Sequence, residues 1–159
     1  MEKNHVGKEQ YPCYLVCVNN ADYSGVALQF ACKMAQKRHG RIKVLHVTEA
    51  AAFKGFGAVA DKMRAEQKRE AKKLLKELTK DTDVATELLH REGLIEEEII
   101  TVVEEDEGID MLILGAAAET STRSKTIQPL VAQLGSKIMV PMLIIPGNLT
   151  EQQMDLLTG

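Results

Sequence analysis

Aromatic residues are scarce in this sequence. Tryptophan is absent, and aromatic side chains make up only 4% of the 159 residues. Sites that bind single-stranded nucleic acid usually stack the bases on aromatic rings, so this composition disfavours a nucleic-acid-binding protein. We therefore expect no nucleic-acid partner.

Long apolar runs are also missing. The longest, such as Met111–Leu114, are far too short to span a bilayer. Residues 1–10 carry four charged side chains and lack the apolar stretch of a secretory signal. These features lead us to expect a cytoplasmic protein without a membrane partner.

Cysteine occurs only three times, which is an odd number. Cys13 and Cys17 lie four residues apart in a predicted strand, which would separate them by about 13 Å. That distance is too large for a disulfide or a shared metal ion. With Cys32 in a predicted helix, we expect three small buried side chains in a reducing compartment.

The remaining composition is typical of a folded protein. An apolar fraction of 45% with a net charge of −3 suits one globular domain over residues 1–159, in which residues 147–159 form a C-terminal tail. Residues 61–80 contain eight basic and four acidic side chains, whereas residues 92–107 contain eight acidic side chains and no basic one. These blocks are either solvated helix faces or mutually attracting surfaces, within one chain or between two.

Hydrophobic periodicity predicts alternating strands and helices. The predicted strands span residues 11–18, 42–47, 84–90, 109–114 and 142–145. The predicted helices span residues 22–39, 58–80 and 94–107, and a fourth has Pro129 near its start, where the preference of proline for the first helical position favours it. Helices of this length between apolar strands are typical of an α/β domain with a parallel sheet.

Individual residues predict the ends and faces of some helices. The pair His39-Gly40 is a stop signal for the first helix. Thr150 and Gln153 have the spacing of a capping box, which predicts a short helix in the tail. The second helix is expected to turn these residues inward: Met63, Ala71, Leu74, Leu75 and Leu78.

Patterns that would identify an enzyme are incomplete. The glycine pattern at residues 55–60 follows the second strand after a loop, whereas a dinucleotide-binding fingerprint follows the first strand directly. A phosphorelay receiver domain needs an acidic pair where Asn19 and Asn20 stand. No nucleophile elbow or metal-ligand spacing is present, and His46 is expected to be a packed, hydrogen-bonded residue of its strand. We therefore expect neither catalytic activity nor a metal site.

The segment after the fourth strand could hold an anion. Gly115 permits a tight turn, and Arg123 and Lys125 place positive charge beside a helix N-terminus. Further hydrogen-bond donors in this segment are the hydroxyl groups of Ser121, Thr122, Ser124 and Thr126. The sequence leaves open whether the segment binds a nucleotide phosphate or is a polar surface loop.

Several segments resemble the universal stress protein family. Leu15–Asn19 is similar to the family's first strand, Val44–Val47 to its second and Met111–Gly115 to its fourth, while Pro146–Thr150 resembles the ending of proteobacterial members. The resemblance covers nearly the whole chain. It implies a doubly wound, five-stranded parallel sheet with strand order 3-2-1-4-5, helices on both faces, and a homodimer joined through the last strand.

Many members of that family bind ATP or AMP, and the resemblance implies where such a site would lie. The family's adenosine-binding Asp corresponds to Asn19, which Asn20 follows, and its backbone contact to the base corresponds to Val47. The glycine and hydroxyl positions of the family's phosphate loop correspond to Gly115, Ala118, Gln128 and Pro129. Of these positions only the first keeps the family's residue, so side chains restrict the backbone where phosphate would approach.

The resemblance leads to two hypotheses. The first is a cytoplasmic, homodimeric stress-response protein that acts through protein partners and binds nucleotide weakly or not at all. The second is an adenine-nucleotide switch whose phosphates rest on the loop with Arg123 and Lys125. No cofactor is certain, and ATP or AMP is the candidate ligand.

Overall fold

The computed structural model describes residues 11–18, 22–48, 57–117 and 127–159. Within these residues, strands and helices alternate, as predicted. The elements are β1 (Cys13–Val18), α1 (Asp22–Arg38), β2 (Arg41–Thr48), α2 (Gly57–Thr79), β3 (Ala85–Glu92), α3 (Ile95–Glu105), β4 (Met111–Ala116), α4 (Ile127–Gly135), β5 (Met142–Pro146) and α5 (Glu151–Thr158).

The five strands form one parallel sheet with the order β3-β2-β1-β4-β5. This confirms the predicted doubly wound α/β fold. Every residue of the central strand β1 is buried, because neighbouring strands flank it and helices cover both of its faces. β3 and β5 are the two edge strands.

Two separate apolar cores lie on the two faces of the sheet. One core contains Val16 of β1 with Leu28 of α1, Leu75 of α2 and Met154 of α5. The other contains side chains of α3 and α4: Ile99, Val102, Val103 and Leu134. The alternation of side chains along each strand therefore divides the helices into a layer of α1, α2 and α5 and a layer of α3 and α4.

The predicted stop of the first helix is confirmed, and its two residues have different roles. His39 adopts a left-handed backbone conformation with φ of 56°. The Gly40 N–H donates to the carbonyl of Ala35 at 2.8 Å. A Cβ atom at Gly40 would lie 2.6 Å from the carbonyl oxygen of Pro12, so the approach of the chain to β1 requires glycine.

The predicted inner face of α2 is only partly correct. Ala71 and Leu75 are buried and Leu74 packs against the core, but Met63 is 44% exposed, and the Leu78 side chain lies outside the described residues. The first turns of α2 therefore expose apolar as well as basic side chains.

The basic helix α2 and the acidic helix α3 lie in different layers, on opposite faces of the sheet. The idea that the two charged blocks neutralise each other within one chain is therefore wrong for most of their length. Arg64 of α2 does reach Glu92 at the end of β3, with 2.7 Å between nitrogen and oxygen.

The last two helices test two predictions about helix starts. Pro129 is the third residue of α4, so the prediction that it lies near the start of this helix is confirmed. This position still tolerates proline, because the N–H groups of the first turn have no partner within the helix. The capping box at α5 is confirmed: Thr150 Oγ1 accepts from the Gln153 N–H, and the Gln153 side chain accepts from the Thr150 N–H.

Candidate functional site

The sheet has a topological switch point between β1 and β4. The chain leaves β1 through α1, which lies on one face, and leaves β4 toward α4, which lies on the other. In doubly wound sheets this arrangement opens a crevice beyond the carboxyl ends of the two strands, and ligands bind there. The residues after β1 and β4 therefore border the candidate site.

The strand β2 contributes free backbone to the same edge. Its pairing with β1 ends at Val18–His46, whereas its pairing with β3 continues through Val47 and Thr48. Among the described residues, the β1 side of Val47 thus has no strand partner. The Val47 side chain is buried in the core under α3 and α4, so its backbone is the part available to a ligand.

β4 behaves similarly on the other side of β1. Its described pairing with β1 ends at Val16–Ile113, whereas its pairing with β5 continues to Ala116. Gly115 is buried and forms a register pair with Ile145 of β5. The structure therefore places Val47 and Gly115 at the carboxyl edge, on the two strands that flank β1.

The other predicted site residues are distributed as follows. Gln128 and Pro129 are the second and third residues of α4, and the Pro129 side chain is exposed. The positions that lie outside the described residues are Asn19, Asn20, Ala118, Arg123 and Lys125.

The first turn of α4 is a poor anion site. A helix N-terminus binds phosphate through the N–H groups of its first turn. Pro129 has no N–H group, so this turn offers one donor fewer than a proline-free helix. The missing donor would weaken phosphate binding in particular, because the N–H groups of a helix's first turn are the groups that bond to phosphate.

Sequence reasoning missed a polar cluster at the carboxyl ends of β2 and β3. The buried Thr48 hydroxyl lies 3.4 Å from Gln67 Oε1 of α2. His46 lies two residues before Thr48 on β2. Its register partner on β3 is His90, and the Nδ1 atoms of the two histidines lie 3.0 Å apart. The residues are far apart in the chain, so only an assumed β2–β3 register would have revealed the contact.

The cysteines are not part of a reactive site. All three are free and buried, as expected. Burial raises the pKa of the Cys17 thiol to about 12 and that of the Cys32 thiol to about 11. Thiols with such values are protonated at neutral pH and react slowly.

A separate cavity of about 230 Å³ lies at the amino edge of the sheet, far from the predicted site. Apolar side chains that follow α3 and α4 line it, including Ile109 and Val140, and Glu104, Glu107 and Lys137 lie at its rim.

In the described parts of the chain, no three His, Cys, Asp or Glu side chains converge as metal ligands. The same residues contain no helix that is both long and apolar enough to cross a bilayer.

Comparison with known proteins agrees with this architecture. The model of the universal stress protein family matches residues 14–146. No curated protein sequence gives a significant match.

Solved structures share the fold. The universal stress protein UspA from Lactobacillus plantarum superposes with a TM-score of 0.71 at 17% identity, covering 87% of this chain and 99% of that one. A universal stress protein in complex with cAMP gives a TM-score of 0.62 at 15% identity, covering 87% and 99%. The protein from Archaeoglobus fulgidus in complex with dAMP gives 0.59 at 16% identity, covering 86% and 98%. At such identities the likeness establishes a common fold and no ligand.

Proposed function

The chain belongs to the universal stress protein family, and we propose that it acts in the cytoplasmic stress response through dimerisation and protein partners, with nucleotide binding weak or lost. The proposal includes no catalytic role. The nucleotide part of the proposal concerns the crevice beyond the carboxyl ends of β1 and β4, which Gly115 borders.

The observation that carries the weak-nucleotide proposal is the place of Pro129 within the first turn of α4. A hydrogen bond from a backbone N–H to a charged phosphate contributes about 1.5–3 kcal/mol, which is roughly a factor of ten or more in affinity. Pro129 removes one such donor, and side chains at Ala118 and Gln128 replace glycines of the family pattern. A triphosphate would therefore lose several of its expected backbone contacts.

The proposed homodimer uses the β5 edge and the tail. One side of β5 pairs with β4, and its Ile144 side chain is 40% exposed. On α5, Leu156 and Leu157 are 80% and 68% exposed, respectively. An edge strand beside exposed leucines is a surface that a second copy can cover.

Calorimetric titration tests the nucleotide part of the proposal. We expect no heat of binding with ATP or AMP at concentrations up to about 1 mM, which corresponds to a binding free energy weaker than about −4 kcal/mol. We also expect no nucleotide to be released when the purified protein is denatured. The combined variant Ala118→Gly, Gln128→Gly, Pro129→Ser should bind ATP at least ten times more tightly than the wild type.

The matched control is Gln152→Gly, since Gln152 is the second residue of α5 as Gln128 is of α4. This variant introduces the same helix-weakening change away from the crevice and should leave nucleotide affinity unchanged.

The nucleotide-switch alternative draws support from the β1 side of Val47, where the backbone has no described strand partner and could meet an adenine base. It predicts that the wild-type protein binds ATP with a Kd well below 1 mM. In that case Arg123→Ala with Lys125→Ala should weaken ATP several-fold through loss of phosphate charge pairs. An unchanged affinity in this double variant would place the phosphates on other residues.

A further inference from the structure

His46 and His90 form an isolated side-chain pair between two strands. They are register partners in β2 and β3, with 3.0 Å between their Nδ1 atoms and 5.0 Å between their ring centroids. The two ring planes are inclined by only 25° to each other, so the contact runs close to the plane of both rings. His46 is only 1% exposed, whereas His90 is half-buried, so water and protons reach the pair from the β3 side.

The short contact between the two Nδ1 atoms holds one hydrogen atom. When both imidazoles are neutral, one Nδ1–H donates to the lone pair of the other Nδ1. A single imidazolium can keep that bond, because its Nδ1–H still finds a lone pair. Two imidazolium rings would direct two N–H groups and two positive charges at each other, and the contact could not persist.

The surroundings of the pair disfavour protonation, so even one positively charged ring is unfavourable. Burial lowers the pKa of both histidines. The charge of His90 lowers the pKa of His46 further, and the charge of Lys68 does the same to His90. Glu92, two residues beyond His90 on β3, acts in the opposite direction. On the other side of His46 its register partner in β1 is the apolar Val18.

The pair lies beneath the amino-terminal half of α2, beside the contacts that hold this part of the helix. Thr48 contacts Gln67, and Arg64 forms its ion pair with Glu92. The first turns of α2 bury little else, since Val59 and Met63 are 57% and 44% exposed. β3 is an edge strand, and among the described residues β2 is its only neighbour in the sheet. A change at the histidines therefore acts on an edge strand and on helix turns that bury few side chains.

We propose that His46 and His90 form a proton-sensitive latch, which holds β3 and the first half of α2 against β2 at neutral pH and releases them below about pH 6. Protons from solvent are the only reactant. Because Val47 lies between His46 and Thr48, release also alters the carboxyl end of β2. The latch itself does not depend on nucleotide binding, so it stands or falls separately from the proposed function.

Backbone hydrogen exchange, corrected for the intrinsic pH dependence of exchange, tests the latch in the full-length protein. We compare an open form in which a histidine has its ordinary pKa of 6.5 with a closed form in which it stays unprotonated. At pH 5.5, one unit below that pKa, the population of the open form relative to the closed form rises about tenfold. We expect exchange in residues 57–70 and 85–92 to rise at least tenfold between pH 7.5 and 5.5. Exchange in β4 and β5 should change far less.

Two variants separate the pair from other titrating groups. The double variant His46→Asn with His90→Asn keeps amide groups near the Nδ1 positions but has no titrating ring at either, and its exchange should change less than about threefold over the same pH range. His39→Asn is the matched control, because His39 is exposed and Asn tolerates its left-handed backbone. It should respond like the wild type.

An equal pH response in the double variant and in the wild type would overturn the latch, as would a wild type with no response. A third measurement does not depend on the variant folding. Imidazole NMR of the wild type should show one histidine with hydrogen on Nδ1 at pH 7.5 and a coupled titration of both rings at lower pH. Two rings that titrate independently near 6.5 would also refute it.

Discussion

Lys33 of α1 donates a hydrogen bond to Asp155 of α5 at 2.6 Å, joining two helices that are 122 residues apart in the chain. The same Lys33 nitrogen lies 3.5 Å from Glu151, at the start of α5. The short tail helix is therefore attached to the α1 layer by charged groups as well as by Met154, which is 2% exposed. This attachment leaves Leu156 and Leu157 on the outside.

If the proposed dimer forms through the tail, the tail leucines determine whether the protein has the mass of a dimer or of a monomer in solution. Leu156→Glu with Leu157→Glu places two charges on the proposed interface and should convert the dimer to a monomer at micromolar concentration, as measured by light scattering. Met139→Glu is the control, since Met139 is 89% exposed at another part of the surface. An equal mass for both variants and the wild type would argue against a role of the tail.

Truncation of Met154 should destabilise the fold. Because the side chain is almost completely buried, Met154→Ala should lower the free energy of unfolding by about 2–5 kcal/mol through lost burial and a residual cavity. Met139→Ala makes the same chemical change at an exposed site and should cost less than about 0.5 kcal/mol. Urea denaturation measures both, and similar values would mean that α5 contributes little to the core.

Two glycines should respond to alanine in opposite directions. Gly40→Ala places a Cβ atom 2.6 Å from the Pro12 carbonyl oxygen and should destabilise the protein by about 1–3 kcal/mol. Gly25 lies in α1, where an added Cβ atom would have no contact within 4 Å among the described residues outside its own helix backbone, so Gly25→Ala should stabilise by about 0.5–1 kcal/mol. Thermal melting distinguishes the two, and a stabilised Gly40→Ala would contradict the close approach.

The ion pair between Lys43 and Asp106 predicts a loss of stability in acid. The Lys43 ammonium lowers the pKa of Asp106, and the Gly108 N–H adds a bond of 2.9 Å to the carboxylate. A carboxyl group with a lowered pKa stabilises the fold above its ordinary value of about 3.9, and this contribution disappears as the pH falls through the folded-state value.

Asp106→Asn should therefore lose stability at pH 6 and show a smaller further decrease between pH 5 and 3 than the wild type, as measured by urea denaturation at each pH. Glu104→Gln, at an exposed position of the same helix, should follow the wild-type profile. A wild-type decrease equal to that of Asp106→Asn would exclude this carboxylate as a source of the acid sensitivity.

The family resemblance predicted the strand ends at which two of the candidate site residues lie. Val47 and Gly115 lie at the ends of β2 and β4, where the resemblance put them. Pro129 lies near the start of α4, as predicted, but its exact place there could not be predicted, because proline is acceptable throughout the first turn and does not mark one position. The roles of Asn19 and the loop after Gly115 remain predictions.

The sequence by itself determined the order of elements and local features such as the Thr150 cap, because hydrophobic periodicity and capping depend on residues close together in the chain. The tertiary structure alone decided which distant residues meet. It brought His46 to His90 across 44 residues, put the basic and acidic helices on opposite faces of the sheet, and left Met63 exposed. Strand register and the packing of whole helices determine these outcomes. Both depend on contacts between segments that are far apart in the chain, and local sequence patterns contain no information on such contacts.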